Sequence, residues 1–255
     1  MNKEVIIKVR DLVKVYDDFT AISGISFDVH QGEIFGLLGP NGAGKTSTLE
    51  IMETLRTKTT GTIEIDGVQI EEDPQYIKSI TGIQLQASGF FPGLNLVEML
   101  QMFGGLYNVK VKPMELLTEL GLQDKAKVKF DTLSGGQKQR FSIATTLVNK
   151  PKIIFLDEPT TGLDPQARRN LWDLIRDIQK KGTTVVITTH YLDEAEILCD
   201  RVAIMDHGKI ISLDTPNNLI DQLVATGFTR KTEVKKANLE DVFINLTGKE
   251  MRGDE

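Results

Sequence analysis

Residues 33–46, EIFGLLGPNGAGKT, are a near-continuous apolar run that feeds straight into glycines and then into a helical pattern. An apolar run without alternation is what a strand buried on both faces requires, and such strands belong to parallel sheets. A glycine-rich turn between that strand and a helix leaves backbone N–H groups aimed at one spot, with the helix dipole behind them. Residues 39–46, GPNGAGKT, match the phosphate-binding pattern G-x-x-x-x-G-K-[ST] in this setting. Gly39, Pro40, Asn41, Gly42, Ala43 and Gly44 let successive N–H groups wrap phosphates. Lys45 then reaches the β- and γ-phosphates, Thr46 ligates Mg²⁺, and Ser47 follows on the same turn. The expectation is an ATP and Mg²⁺ site on an α/β fold.

The rest of the chain agrees with that fold class. VIIKV (5–9) and ISFDV (25–29) read as strands, and GTIEIDGVQI (61–70) alternates around Asp66-Gly67 as a hairpin does. TSTLEIMETL (46–55) has helical spacing, with Leu49, Met52 and Leu55 along one face. From about 88 to 150 the segments NLVEMLQMFGGLY, PMELLTELGL and QKQRFSIATTLV look helical with no strand between them, which predicts an inserted helical subdomain. Phe90, Phe91, Phe103 and Tyr107 there are either its small core or part of a partner-binding surface. Strand character returns at 152–159, 183–190 and 201–213. The first two flank ARRNLWDLIRDIQKKG, a helix with Trp172, Ile175 and Ile178 on its buried side and Gly182 as its stop. Strand, helix, strand implies right-handed crossovers and a parallel sheet. The predicted organisation is one domain over 1–225 and a short extension over 226–255. In the extension NLEDVFINLTG forms a helix capped by Asn238 and stopped by Gly248.

Three further stretches carry chemistry. IIFLDE (153–158) is an apolar strand ending in two acids, costly unless a cation or hydrogen bonds compensate. Neighbouring strand residues face opposite ways, so Asp157 and Glu158 take different tasks: Asp157 holds Mg²⁺, and Glu158 polarises the attacking water. The bland alternative is a solvated strand end. His190 follows the strand TTVVITT, at the carboxyl end where open α/β sheets place ligands. A lone histidine is most often structural, but here it is placed to contact a γ-phosphate. LSGGQKQR (133–140) reads plainly as a capping box, with Ser134 capping and Gln137 folding back. That reading leaves Gly135 and Gly136 unexplained, since adjacent glycines weaken a helix start unless something approaches closely. The functional alternative is a second phosphate cap closing over the ATP of another copy, in a twofold pair with two nucleotides at the interface.

Bulk properties narrow the class. The net charge of −6 gives no general pull toward nucleic acid, and no nucleic-acid partner is expected. The single cysteine, Cys199, excludes an internal disulfide framework. No apolar run approaches the length of a membrane span, and the charged start has no signal-peptide core, so the expected place is cytoplasmic.

The P-loop, LSGGQKQR, IIFLDEP and His190, in this order and spacing, resemble the ATPase subunit of ABC transporters over about residues 4–220. The resemblance implies the ABC ATPase fold: a P-loop core with mainly parallel central sheet, an N-terminal antiparallel β subdomain and an inserted helical subdomain. By the same resemblance Tyr16 stacks on adenine, the alternative being that it packs on the strand behind it. Gln86 touches Mg²⁺ and transmits the nucleotide state to a membrane partner, or is an ordinary polar loop residue. Asp164, in TGLD, crosses the dimer interface. Leu85 stands where a proline often precedes that glutamine, and Gly162 where alanine is common. THYLDEAEILCDRVAIMDHGKI and the terminal NLEDVFINLTG resemble exporter ATPases that pair with separately encoded permeases for drugs, antibiotics or sodium. The implied protein is a homodimer, or a heterodimer with a related ATPase, at the cytoplasmic face of the membrane. There it drives an integral permease exporting a drug, antibiotic, lipid-like molecule or ion. Two rivals remain: a soluble ATPase of the same type acting on nucleic acid or ribosomes, which usually carries coiled-coil arms or paired domains, and a P-loop kinase, which gives LSGGQKQR no task.

Overall fold

The structure is a computed structural model and describes residues 4–84, 90–91 and 93–228. In chain order its elements are β1 (Val5–Tyr16), β2 (Phe19–His30), β3 (Ile34–Leu38), α1 (Lys45–Met52), β4 (Thr60–Ile65), β5 (Val68–Gln69), α2 (Pro74–Ile80) and β6 (Thr81–Gln84). Then follow α3 (Leu96–Leu106), α4 (Pro113–Glu119), α5 (Gly135–Thr146), β7 (Ile153–Asp157), α6 (Pro165–Lys180), β8 (Thr184–Thr189), α7 (Leu192–Leu198), β9 (Arg201–Asp206), β10 (Lys209–Asp214) and α8 (Pro216–Ala225). The chain divides into two compact units, Met1–Leu219 and Ile220–Glu255. The helix expected at 238–248 lies outside the described residues.

Two sheets organise the first unit. One is antiparallel, in the order β2-β1-β4-β5; the other runs β10-β9-β3-β8-β7-β6, with only β10 antiparallel to its neighbour. β3, β7 and β8 are buried at every position, as their unbroken apolar runs require. Alternate side chains of one strand serve two cores. Ile154 and Leu156 join α3, α5 and α6 on one side, while Ile153 and Phe155 join α1 and the antiparallel sheet on the other. The loop that follows β3 and the acid that ends β7 are therefore delivered to the carboxyl end of the sheet from a rigid, dry interior.

Several boundaries differ from the sequence reading. β1 and β2 are longer than expected, because a bulge at Asp11 (φ 48°) carries β1 past its polar middle. The run 201–213 is a hairpin rather than one strand, turning at His207-Gly208 with both residues at positive φ. The edge strand β6 and helix α2 were not foreseen, although Asp73 accepting from Tyr76 N and Pro74 at the first position are ordinary helix-start signals. Between 93 and 150 the named elements are α3, α4, α5 and two 3₁₀ turns, with no strand among the described residues. Phe90 packs against Phe103, Phe130 and Phe141 as a small aromatic core, whereas Phe91 is exposed. Leu55 is likewise exposed, beyond the end of α1, while Leu49 and Met52 are buried. No helix among the described residues is long and apolar enough to cross a membrane.

Helix α1 ends at a buried acid. Glu53 is 1 % exposed, and neither carboxylate oxygen has a hydrogen-bond partner among the described residues. Burial, reinforced by the negative charges of Asp157 and Glu50, pushes its pKa up to about 8, so at neutral pH it is a neutral acid. The unfolded chain loses this proton near the ordinary value of 4.5 while the folded chain keeps it, so stability falls as pH rises from there to about 8. Glu53→Gln mimics the neutral form and removes the penalty. Its melting temperature should match the parent near pH 4 and exceed it increasingly up to pH 8–9, by an amount worth up to about 5 kcal/mol. Calorimetric pH profiles that run parallel for the two proteins would contradict this assignment.

Candidate functional site

The site assembles where β3, β7 and β8 end. The chain leaves β3 at Leu38 and reaches α1 through residues 39–44, and Gly44 caps the helix at φ 97°. A Cβ on Gly44 would lie 2.5 Å from the carbonyl oxygen of Ala21, so both its dihedral and its crowding demand glycine. Pro40, Asn41 and Gly42 are exposed, whereas Gly39 and Ala43 are buried; Gly42 has positive φ and open space beside it. The loop is thus held by its buried residues and presents its exposed backbone outward.

Lys45 is 4 % exposed, and its Nζ donates to the carbonyls of Gly39 (2.8 Å) and Pro40 (3.0 Å). Burial lowers its pKa, against the opposing attraction of Glu158 and Asp157. Glu158 Oε1 lies 3.7 Å from Nζ. The amine curls back over the loop that follows β3, bridging the first residues of that loop to the acids ending β7.

Asp157 and Glu158 occupy different places, as expected, but not simply because strand residues alternate. The strand stops at Asp157, and Glu158 turns into the left-handed region at φ 46°. A non-glycine residue there is strained and is retained where the surroundings over-determine it. Here the restraint is Thr188, whose carbonyl and hydroxyl both accept from Glu158 N, at 3.2 and 3.0 Å. Asp157 Oδ1 also accepts from the Thr188 hydroxyl. The Thr46 hydroxyl lies 3.4 Å from each oxygen of Asp157. Burial raises the Asp157 carboxyl above the usual range, and the Thr188 hydrogen bond works in the other direction. The Glu158 side chain, 9 % exposed, places Oε1 3.2 Å from His190 Nδ1 and accepts from Thr161 Oγ1 at 3.1 Å through Oε2. The His190 contact is close but is not aligned as a hydrogen bond. Thr188 and Thr161 were missed by sequence reasoning. Thr188 could have been found from register alone, since it pairs with Asp157 across β7 and β8.

Tyr16, at the end of β1, puts its hydroxyl 3.3 Å from Ser47 Oγ. Its ring lies under Lys14 Nζ at 4.7 Å and beside the Arg56 guanidinium at 5.7 Å. The half-buried aromatic face thus stands next to the first turn of α1 instead of in a core. Gln86 lies outside the described residues.

Residues 134–137 form the capping box that the sequence suggested: Ser134 N donates to Gln137 Oε1 at 3.0 Å, and Gln137 N to Ser134 Oγ at 3.4 Å. The two glycines separate in meaning. A Cβ on Gly136 would lie 3.2 Å from Ala167 Cβ at the start of α6, so this glycine lets two helix starts of one chain approach closely. Gly135 is exposed, and the nearest atom to a Cβ there, from Leu163, is 3.9 Å away. Packing within the chain therefore explains Gly136 and leaves Gly135 without a reason. Among the described residues no hydrogen bond or ion pair joins 134–137 to 39–46. Asp164 is exposed and caps α6, its Oδ1 accepting from Ala167 N at 2.8 Å.

Comparison with known proteins agrees with this geometry. A family described as ABC transporter matches residues 22–161. The Nod factor export ATP-binding protein I of Burkholderia lata is 34 % identical over 95 % of this chain and 97 % of its own length. The daunorubicin/doxorubicin resistance ATP-binding protein DrrA of Streptomyces peucetius is 38 % identical over 85 % of this chain and 67 % of its own. The linearmycin resistance ATP-binding protein LnrL of Bacillus subtilis is 37 % identical, covering 85 % of this chain and 71 % of its own. Among solved structures, cbiO1 from Clostridium perfringens, part of an ABC transporter complex, superposes with a TM-score of 0.77 at 27 % identity, covering 96 % of each chain. A dimeric ATP-binding cassette in a post-hydrolysis state with ADP and Pi superposes with a TM-score of 0.74 at 26 % identity, over 82 % of this chain and 98 % of that one. The chain belongs to the ABC transporter family and is one of its ATP-binding, ATP-hydrolysing subunits.

Proposed function

We propose that this ATPase works as one of a pair of like or related subunits. The pair closes around two ATP molecules and drives export of a drug, antibiotic, lipid-like molecule or ion through a separate permease, at the cytoplasmic face of the membrane. The observation that carries the pairing is the state of residues 134–137: an exposed helix start with an unexplained Gly135, unlinked to its own P-loop. The dimeric solved relative and the export and resistance functions named for the curated relatives support the same reading. The ATPase domain is assigned to 1–225, and 226–255 is an extension.

Within each site the proposed tasks follow from position. The loop 39–46 cradles phosphates with its exposed N–H groups, and Lys45 swings from the Gly39 and Pro40 carbonyls to the terminal phosphates. Tyr16 supplies a ring for adenine, and Ser47 steadies it. Thr46 and Asp157 converge as hard oxygen donors at 3.4 Å, a set suited to Mg²⁺, with Gln86 as a further ligand. When bound, Mg²⁺ offsets the charge of the phosphates. Glu158 Oε1 takes the proton of the attacking water, and His190, 3.2 Å from that oxygen, contacts the γ-phosphate. Ser134, Gly135, Gly136 and Gln137 of one subunit close over the nucleotide of the other, with Asp164 at the same interface.

Glu158→Gln should bind ATP but lose roughly 10²–10⁴ in turnover, the usual worth of a positioned general base. Near-parental steady-state hydrolysis would remove Glu158 from that role. With ATP and Mg²⁺ this variant should form a stable dimer by light scattering. Gly135→Val in the same background should abolish the dimer while keeping stability within about 0.5 kcal/mol, as an exposed substitution does. Gly136→Val should instead cost roughly 1–3 kcal/mol by overpacking against Ala167. A Gly135→Val protein that still dimerises would place the interface elsewhere. For the partner, affinity purification from solubilised membranes should recover an integral membrane protein. ATP-dependent retention on DNA or ribosomes would favour the rival reading.

A further inference from the structure

Helix α7 begins with a residue that its own geometry does not call for. Tyr191 is the N-cap, and its side chain makes no capping hydrogen bond. Serine, threonine, aspartate or asparagine would satisfy an open N–H group there, and a tyrosine hydroxyl is too far from the backbone to do so. Among the described residues the Tyr191 hydroxyl has no hydrogen-bond partner, so the ring is what the position uses.

The ring touches two groups. The imidazole of His190 has its centroid 4.2 Å away, with the planes inclined at 38°. The guanidinium of Arg168 lies over the ring, 4.3 Å from its centroid. Arg168 is fixed in turn: NH1 donates to Asp193 Oδ2 at 3.3 Å, while its buried Nε has no hydrogen-bond partner among the described residues. A guanidinium that forgoes a hydrogen bond yet sits over an aromatic face is placed for stacking. Arg168 also opens a ladder along α6. Trp172 Nε1 donates to the buried Glu194 at 2.9 Å, and Arg176 donates to the Ile197 carbonyl, so one face of α6, read every fourth residue, clasps α7 along its length.

We propose that Tyr191 and Arg168 are positioning residues for His190. The Arg168–Tyr191–His190 stack holds the imidazole at its 3.2 Å approach to Glu158 and ties its orientation to the start of α6. This rests on the reading that His190 takes part in turnover. The backbone alone leaves His190 loosely defined, since it lies in a two-residue connection between β8 and α7 and its ring is about one-third exposed. A ring packed against one face removes that freedom before ATP arrives, which is the general advantage of a preorganised site. Because α6 is capped by Asp164, the stack also gives the exposed start of α6 a mechanical route to the histidine.

The test uses the full chain and steady-state ATP hydrolysis. Tyr191→Leu and Arg168→Gln should lower kcat roughly tenfold to a hundredfold, with KM for MgATP changed less than about twofold. Tyr191→Phe keeps the ring and should restore most of the lost turnover. The double variant His190→Ala/Tyr191→Leu should turn over no more slowly than His190→Ala, because the ring acts through the imidazole. Parental kcat in both Tyr191→Leu and Arg168→Gln, alongside an inactive His190→Ala, would overturn the proposal while leaving the role of His190 intact. A double variant slowed by the full additional factor would also overturn it. Full turnover in His190→Ala would instead remove the underlying reading. Should Tyr191→Leu fail to fold, Arg168→Gln and the Tyr191→Phe control decide the matter through the same kcat and KM comparison.

Discussion

A lysine amine buried to 4 % exposure at the start of a helix is the constraint around which this molecule is arranged. An unpaired ammonium in such a place would cost several kcal/mol, and a helix N-terminus is the wrong end for a cation. The charge is tolerated because two carbonyls of the preceding loop accept from it and because β7 delivers two carboxylates to the same place. Those carboxylates are themselves largely buried: Asp157 depends on Thr188 and Thr46 for hydrogen bonds, and Glu158 on Thr161. No member is stable alone. Parallel strands in register are what bring them together, with Asp157 opposite Thr188 and Leu38 opposite Thr189. Beside this buried network the loop residues Pro40, Asn41 and Gly42 are exposed at the start of α1, which is the physical sense in which it suits the phosphates of a nucleotide.

Much of this was legible in sequence because its signals are local. A buried strand, a glycine turn and a helix start in succession specify the P-loop without reference to the rest of the chain, and the same holds for the acid-ended strand and for the Ser134–Gln137 box. What escaped depends on register or on tertiary contact. Thr188 is one of several threonines in TTVVITT until the pairing of β7 with β8 singles it out. The positive φ of Glu158 comes from that pairing and from the turn into Pro159, not from any preference of glutamate. β6 was passed over because four residues including a glycine carry little periodicity, and only its pairing with β7 makes it a strand. The two glycines of 135–136 looked alike in the sequence. Tertiary contact divides them, one packed against Ala167 and the other open.

That division links three helix starts. The first turn of α5 approaches the first turn of α6 through Gly136 and Ala167, and the same turn of α6 holds α7 through Arg168 and Tyr191. Each start holds or adjoins a residue for which a task in turnover is proposed: Gly135 for α5, Asp164 for α6 and His190 for α7. These contacts are between closely packed side chains, and packed interiors transmit strain, so a shift at one start is felt at the next. A second subunit pressing on the exposed Gly135 and Asp164 would therefore press, through packed side chains, on the histidine beside Glu158.

The left-handed Glu158 shows why such a linkage can act on chemistry as well as on shape. Its backbone is fixed by Thr188, but its carboxylate is divided among Thr161, Lys45 and His190. Of these, Thr161 sits in the turn that leads to α6, and His190 is held by the stack against the same helix. Lys45 belongs to the phosphate loop. The carboxylate thus lies between a group that follows the nucleotide and two groups that follow α6. A carboxylate in that position is oriented only when both are in place, so its orientation depends jointly on the phosphate loop and on the start of α6.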